Sequence, residues 1–445
     1  MLKQDLNSAA QQLEVINVQD GHYPADVSDI KHSDGTDFHY HQQGDGYCLT
    51  ATNEGLAGKA FHTTNGSSVE DGACDGDAVP GEAAHVPQQV AKLTPDDGLT
   101  TKGFGASVAI SGSTAVIGAP DGGAGKVYVY VRQGDSWVLQ AHLTPGNSQA
   151  TDEFGASVAI EGDTIVVGAP SHTTSLNKDG AAYIFTRMGS AWMQTSQFSS
   201  PVPRSGGRFG AAVAISSGTI AVGQPGGALV YVYVNSGGAW SQQAALAPGA
   251  TQSDGVIYFG SAVDIRGDVI AVGAKSSCFG SGSIPCYETD AGTGYIYDRS
   301  GTVWVRRGEY PNFSPHGYMY GYNVAVGPDS VAFAYGGYSA GEIFETRTAS
   351  GASYIASHDS SQPLWGRDPI GENAVAFYGN DIIAGSLDAG NAVGLFRVDA
   401  THHATLTATL RPNDTGGASV RFGAAIDSDD SDIIMSAPNA AYIFK

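Results

Sequence analysis

The sequence predicts a mainly β protein: a seven-bladed β-propeller preceded by a small α+β domain with one N-terminal helix and an antiparallel meander. Two observations carry this prediction. The stretch FGASVAISGSTAVIGAP, residues 104–120, recurs along the chain, and each copy is followed by two further strand-like segments. A repeat of about fifty residues with four short strands per period is typical of propeller blades.

The copies are spaced regularly. Strong copies begin at Phe104, Phe154, Phe209 and Phe259, and the weaker ones begin at Tyr320, Gly371 and Phe422. The spacings between these seven starting positions are 50, 55, 50, 61, 51 and 51 residues. A fixed period of this length indicates that each copy is one supersecondary unit that packs against its neighbours.

Each unit is predicted to contain four strands, which in the second unit cover residues 154–160, 164–168, 181–186 and 192–198. The first two strands are joined by only two or three residues, as short antiparallel hairpins require. The last unit ends after its third strand, residues 440–445. Residues 89–95 (QVAKLTP) match the fourth-strand sequence LQAHLTP of residues 139–145. We therefore expect residues 89–95 to pair with residues 440–445 and close residues 89–445 into a ring without an open edge.

The N-terminal domain is predicted over residues 1–75. Apolar residues at steps of three and four predict a helix over residues 2–20. Strand-like segments follow at residues 38–43, 46–52 and 59–64, and residues 76–88 read as a linker that contains prolines and glycines.

Charge and cysteine content narrow the classes of partner. The formal net charge of −22 argues against nucleic acid and against an anionic membrane surface, because both bind clustered Lys and Arg. The four cysteines fall into two local pairs, Cys48 with Cys74 and Cys278 with Cys286. An even count in a Lys-poor chain favours two disulfides and an oxidising compartment, and four free thiols in a cytosolic protein are the alternative.

The Phe-Gly that opens and the Gly-Ala-Pro that closes the strong copies resemble the FG-GAP repeat. That family forms seven-bladed propellers like the head of integrin α chains, which implies a binding or adhesion function. Its repeats often carry a calcium loop between strands two and three. The corresponding loops here lack the alternating carboxylates that calcium needs, so we expect no metal and no cofactor.

The first 75 residues resemble the soluble half of a type IV pilin or pseudopilin. The matching residues are Asn17, Asp20, Gly21, Tyr23, Pro24, Tyr47, Cys48, Leu49, Gly72 and Cys74. The basic leader and long apolar helix of that family are absent, so we expect that the chain begins part-way along the helix, with Met1 as an added start. The resemblance implies other pilin subunits as partners through this helix, and membrane contact only through its missing part.

Several motifs have structural interpretations. Arg266-Gly267-Asp268 occupies the tight hairpin that Gly-Asp or Gly-Asn fills in other copies, so we interpret it as a turn. His39 and His41 share one face of a strand, but no further metal ligand is identifiable, so they are interpreted as surface residues. The last hairpin carries an acidic cluster that is predicted to be solvated: Asp427, Asp429, Asp430 and Asp432.

A tryptophan begins the fourth strand in four copies and is predicted to pack against the fold. These residues are Trp137, Trp192, Trp240 and Trp304.

Insertions concentrate on one face of the predicted propeller, where the loops between strands two and three and the crossovers between blades lie. Variable loops on a rigid scaffold are where binding usually resides. The candidate binding residues are Cys278, Phe279, Cys286, Tyr287, Tyr310, Phe313, Tyr318 and Tyr320. The aromatic residues among them can anchor a sugar or a protein, or can instead repack a blade that has lost its motif.

These features lead to a function hypothesis. We expect an extracellular adhesin that binds a cell-surface protein or glycan, as a minor type IV pilin at the tip of a pilus. The alternatives are a secreted lectin-like propeller and a propeller glycosidase or lyase. No catalytic motif or residue set is identifiable, so we expect no enzyme activity.

Overall fold

The structure is a computed structural model whose chain divides into two compact units, Met1–Val86 and Pro87–Lys445. It describes residues 9–10, 36–43, 46–53, 60–64, 70–71, 86–98, 103–121, 123–174, 176, 178–249, 257–276, 293–311, 323–328, 330–334, 343–347, 374–387, 392–398, 404–413, 422–429 and 431–445.

The first unit contains the predicted antiparallel meander. Its strands, in spatial order, are β1 (Thr36–Gln43), β2 (Gly46–Asn53), β3 (Ala60–Thr64) and β4 (Glu70–Asp71). Of the predicted helix over residues 2–20, only Ala9 and Ala10 are described; both are helical and buried. The remaining residues of that helix, the side chain of Cys48 and the whole of Cys74 lie outside the described part. The pilin-like fusion and the Cys48–Cys74 bridge are therefore not shown.

In its described residues, the second unit is built from antiparallel sheets and one short 3-10 turn at Pro225–Gly227. Its strands are β5 (Gln89–Leu93), β6 (Ser107–Ser111), β7 (Thr114–Ala119), β8 (Lys126–Gln133), β9 (Ser136–Leu143), β10 (Ser157–Glu161), β11 (Thr164–Ala169), β12 (Ala181–Met188), β13 (Ala191–Ser199), β14 (Val213–Ser216), β15 (Thr219–Gln224), β16 (Leu229–Ser236), β17 (Ala239–Leu246), β18 (Ile257–Arg266), β19 (Val269–Ser276), β20 (Thr293–Ser300), β21 (Val303–Pro311), β22 (Asn323–Val326), β23 (Ser330–Ala334), β24 (Ile343–Arg347), β25 (Val375–Tyr378), β26 (Asp381–Leu387), β27 (Ala392–Val398), β28 (Ala404–Leu410), β29 (Ile426–Ser428), β30 (Ile433–Ala437) and β31 (Ala440–Phe444).

These strands form a propeller. The described residues build six complete four-stranded blades, β6–β9, β10–β13, β14–β17, β18–β21, β25–β28 and β29–β31 with β5, and one three-stranded sheet, β22–β24. Six of the seven predicted blades are therefore observed as complete four-stranded sheets. We number the sheets 1 to 7 by the position of their first strand, so that the three-stranded sheet is sheet 5.

The last sheet takes its outer strand from the start of the unit. β5 pairs antiparallel with β31, with Leu93 opposite Ala441 and Ala91 opposite Ile443. Beyond the strands, Gln88 N donates to the carbonyl of Lys445 at 2.8 Å, and Lys445 N donates back at 3.0 Å. A strand edge that would otherwise present unpaired backbone groups is therefore covered.

The phenylalanine of each strong copy fills the space between neighbouring sheets. Phe154 has no exposed area and packs against Val127 and Val129 of sheet 1 as well as Tyr183 and Phe185 of its own sheet. Its ring meets that of Tyr183 edge-on, with centroids 5.6 Å apart. Burial of one such aromatic side chain stabilises the seam by about 1.5–3 kcal/mol.

The two glycines of the motif meet across the same seam. A Cβ on Gly118, the glycine of Gly-Ala-Pro, would lie 2.1 Å from the carbonyl oxygen of Gly155, the glycine of the next Phe-Gly. Gly168 stands in the same relation to Gly210, at 2.0 Å. Because no side chain fits there, glycine lets the backbones of neighbouring sheets approach closely.

Candidate functional site

The propeller has two different faces. In each antiparallel sheet, the loop from the second to the third strand and the crossover to the next sheet leave from one end, and the two hairpins leave from the other. We call these ends the loop face and the hairpin face. On the loop face the described residues include the crossover 144–152 and the loop 170–180, of which residues 175 and 177 are not described.

The predicted binding residues lie almost wholly outside the described residues. Tyr310 is in β21, with its Cα opposite that of Gly294, and its side chain is not described. Cys278, Phe279, Cys286, Tyr287, Phe313, Tyr318 and Tyr320 fall outside the described part, as does the predicted Cys278–Cys286 bridge. His39 and His41 lie in β1, and their side chains are likewise not described.

In sheet 2 the loop face is built on a buried histidine–carboxylate pair. His172 Nδ1 lies 2.9 Å from Asp152 Oδ2, and the two side chains are only 3% and 2% exposed. The same carboxylate oxygen accepts a hydrogen bond from Gln149 N at 2.6 Å. Asp152 therefore ties the crossover 144–152 to the loop 170–180.

Asn147 extends this network to the neighbouring strands. Its Oδ1 accepts a hydrogen bond from the hydroxyl of Tyr183 at 3.1 Å, and its Nδ2 donates to Gln197 Oε1 at 3.1 Å and faces His172 Nε2 at 3.5 Å. This geometry assigns the imidazole proton to Nδ1, where it is donated to Asp152. Burial, reinforced by the charge of Asp152, raises the pKa of Tyr183 to about 12, so that its hydroxyl stays a donor.

The tip of the loop 170–180 is also held from within. Asp179 is 1% exposed, and its carboxylate accepts hydrogen bonds from Thr174 N at 2.8 Å, Thr174 Oγ1 at 2.5 Å and Leu176 N at 3.1 Å. A carboxylate that accepts several donors in this way orders a loop. The described part of the loop is therefore a preformed surface feature, held from within by the buried Asp179.

On the hairpin face, the structure corrects the interpretation of the last acidic cluster. Asp427 accepts a hydrogen bond from Ile110 N at 2.8 Å, and Asp429 accepts one from Gly112 N at 2.6 Å. Asp432 is 1% exposed and forms an ion pair with Arg132. Three of the four acids therefore join sheet 7 to sheet 1 instead of lying in a solvated turn; Asp430 lies outside the described residues.

The same kind of contact joins other neighbouring sheets. Glu161 Oε1 accepts a hydrogen bond from Ser217 N at 2.6 Å, and Ser216 Oγ accepts one from Gly267 N at 3.0 Å. Gly267 has a φ of +56° in the hairpin, and Asp268 accepts a hydrogen bond from Arg299 Nε at 2.6 Å. The turn interpretation of Arg266-Gly267-Asp268 is confirmed.

The tryptophans pack as predicted. Trp192 lies under the guanidinium of Arg187, 4.6 Å from its ring centroid, and Trp304 lies under Arg299 at 5.2 Å. Trp192 Nε1 also donates to Gln140 Oε1 in the preceding sheet at 2.8 Å. Each indole therefore contributes to a seam between sheets, which accounts for its repetition.

A channel of about 820 Å³ runs through the ring, lined by the first strands of all seven sheets. Its wall consists largely of Ala, Val, Ile and Ser side chains. Its charged side chains include two carboxylates at one equivalent position of the repeat, those of Asp264 and Asp427. The equivalent residue in the other five copies is alanine, namely Ala109, Ala159, Ala214, Ala325 and Ala376.

Both channel aspartates have pKa values above that of an ordinary aspartate. Burial in the channel raises the pKa of Asp264 to about 6, although Val326 N and Ile265 N donate to its carboxylate at 2.7 Å and 2.8 Å. Burial likewise raises the pKa of Asp427 to about 7, and the charge of Asp264 adds to the effect. Asp264 was not predicted as a site residue, although its sequence position is occupied by alanine in five other copies of the repeat.

Within the described residues, no group of three or more His, Cys, Asp or Glu side chains is arranged to hold a metal ion. No described helix has the length and apolar character needed to span a bilayer.

A comparison with protein families identifies the repeat in part of the propeller. A model of the FG-GAP repeat matches residues 87–130 and 137–185. No curated protein matches the sequence significantly. Among solved structures, that of Saccharomyces cerevisiae Sqt1 is similar over 80% of this chain and 98% of its own, with 11% identity and a TM-score of 0.43. The match to the FG-GAP repeat covers the first two sheets of the propeller, and a propeller with such repeats suggests a binding or adhesion-type domain.

Proposed function

We propose that this protein is an extracellular adhesin that binds a cell-surface protein or glycan through the loop face of its propeller. The single observation that supports this most is the preformed loop 170–180, held by the buried His172–Asp152 pair and by Asp179. An ordered loop loses little conformational entropy when a ligand binds, which favours affinity.

The proposal does not include catalysis. In the described part of the loop face, three carboxylates are engaged in holding the fold. Asp97 accepts hydrogen bonds from Lys126 Nζ at 2.5 Å and the Tyr128 hydroxyl at 2.7 Å, while Asp152 and Asp179 hold the crossover and the loop. A hydrolase would need two carboxylates free to act on a glycosidic bond.

We further propose that the first unit carries the propeller on a type IV pilus, as a minor pilin near the tip. The support is the resemblance of residues 17–24, 47–49 and 72–74 to pilins, together with the meander β1–β4. A propeller on every subunit would crowd a packed filament, which favours a sparse or terminal position. Other pilin subunits would then be partners of the N-terminal segment.

The test is binding of the fluorescently labelled full chain to intact cells and to a glycan array. We expect saturable binding that is lost when residues 278–286 are replaced by a short Gly-Ser link, and weakened by Leu176→Asp on the loop face. Val138→Asp in β9 is the matched control, since Val138 is 42% exposed and Leu176 is 43% exposed.

The outcomes separate the alternatives. Binding to glycans alone, without dependence on pili, would favour a secreted lectin. Equal loss of binding in the Val138→Asp control would contradict the assignment of the loop face. Absence of binding to cells and to glycans would overturn the adhesin proposal.

A further inference from the structure

The two channel aspartates connect neighbouring sheets. Asp264 of sheet 4 accepts a hydrogen bond from Val326 N of sheet 5 at 2.7 Å. Asp427 of sheet 7 accepts one from Ile110 N of sheet 1 at 2.8 Å. Val326 and Ile110 are equivalent residues of the repeat, so the same cross-sheet contact occurs twice around the ring.

Few other charges face these carboxylates. The channel wall carries three further charged side chains, Glu161, Arg266 and Asp429, and its remaining side chains are uncharged. Arg266 lowers the pKa of Asp264, whereas Asp264 and Asp429 both raise that of Asp427. Glu161 and Asp429 are bound to backbone N–H groups of the next sheet, at 2.6 Å in each case.

The position of the two carboxylates inside the channel increases their affinity for protons. Two carboxylates in one narrow channel keep less water around them than exposed carboxylates do, and each repels the other when both are ionised. In the unfolded chain both become ordinary solvated aspartates. The folded ring therefore binds protons more strongly than the unfolded chain does.

We propose that the propeller is a proton-linked ring, in which Asp264 and Asp427 take up protons inside the channel on mild acidification and thereby stabilise the closed fold. This inference is independent of the proposed adhesin function.

The direction follows from linkage. An aspartate titrates near 3.9 when unfolded, and the two channel acids have pKa values of about 6 and about 7 when folded. The favourable contribution is complete below the unfolded pKa and is lost as the pH rises through the folded values. Stability should therefore increase as the pH falls from about 8 to about 5.

The experiment measures the Tm of the full chain across this pH range. The wild-type Tm should rise on acidification, and the rise should be largely abolished in Asp264→Asn/Asp427→Asn. The control Asp121→Asn/Asp135→Asn removes two negative charges at exposed positions and should keep the rise. If the Asn pair does not fold, Asp264→Ala/Asp427→Ala places the residue of the other five copies at both sites.

Two results would overturn the proposal. One is a channel double variant whose Tm rises with acidification as much as that of the wild type. The other is a wild-type Tm that is insensitive to pH but is raised by millimolar Ca²⁺ or Mg²⁺ at pH 8, with no such effect in the double variant. That outcome would make the two aspartates cation ligands.

Discussion

Asp432 in the last sheet forms an ion pair with Arg132 in the first sheet, with only 1% of the Asp432 side chain exposed. The repeat explains the position of both residues. Arg187 and Arg299 occupy the place of Arg132 in sheets 2 and 4, and they donate to Thr114 and Thr219 of the preceding sheet. The carboxylate of Asp432 takes the place of the threonine hydroxyl at the seam where the ring closes.

Removal of this carboxylate should weaken the ring strongly. Asp432→Ala leaves the largely buried Arg132 without its charged partner, and loss of one member of a buried pair costs about 3–5 kcal/mol. Asp163→Ala removes the partner of Arg187, but Asp163 is 71% exposed, so the cost should be about 0–1 kcal/mol. Urea unfolding of both variants gives the comparison, and equal losses would contradict the special role of the closing seam.

The glycine contact between sheets predicts a second effect. Gly118→Ala places a Cβ against the carbonyl of Gly155 and should destabilise the protein by about 1–3 kcal/mol, as overpacking does. Gly146→Ala is the control, because a Cβ there would meet no atom within 4 Å. A Gly118→Ala variant as stable as the control would show that the seam is looser than described.

Trp192 should contribute through its indole N–H as well as through packing. Trp192→Phe keeps an aromatic ring beside Arg187 but leaves Gln140 without its donor, which should cost about 1 kcal/mol. A double-mutant cycle with Gln140→Ala separates the free energy of this hydrogen bond from the cost of the smaller ring. Full additivity of the two substitutions would argue against the hydrogen bond.

The buried pair beneath the loop face predicts a local effect. His172→Ala removes the donor to Asp152 and should open the loop 170–180 while most of the propeller stays folded. The exposed Lys178 would then become a site of rapid trypsin cleavage. Cleavage after the exposed Arg204, read by mass spectrometry in the same digests, is the internal control, since its rate should stay unchanged. Equal cleavage at Lys178 in wild type and variant would show that the loop does not depend on His172.

Much of this fold could be predicted from the sequence because strands and turns recur at equivalent positions in the copies of the repeat. The predicted second-unit strand 181–186 is observed as Ala181–Met188, and the predicted strand 164–168 as Thr164–Ala169. The first strand begins three residues later than predicted, at Ser157. Phe154 instead forms a single bridge to Gly125 and turns its ring into the seam.

The contacts between sheets were harder to predict. Asp427, Asp429 and Asp432 lie close together in the sequence, and a short acidic hairpin normally faces solvent. Their partners Ile110, Gly112 and Arg132 are about 300 residues away and become neighbours only when the ring closes. The buried pair His172–Asp152 was missed for another reason: its two members are only 20 residues apart but lie on different connections of the loop face.

Closure of the ring by the first strand of the propeller is the central claim, and hydrogen–deuterium exchange of the full chain tests it directly. The β5 amides that face β31 should exchange slowly, since each amide that takes part in the ladder must await a local opening, while the outward-facing β5 amides exchange fast. Slow exchange of the inward-facing amides within residues 89–93 is the predicted result. Complete exchange of residues 89–93 within seconds, while residues 440–444 remain protected, would show an open outer edge and contradict the account.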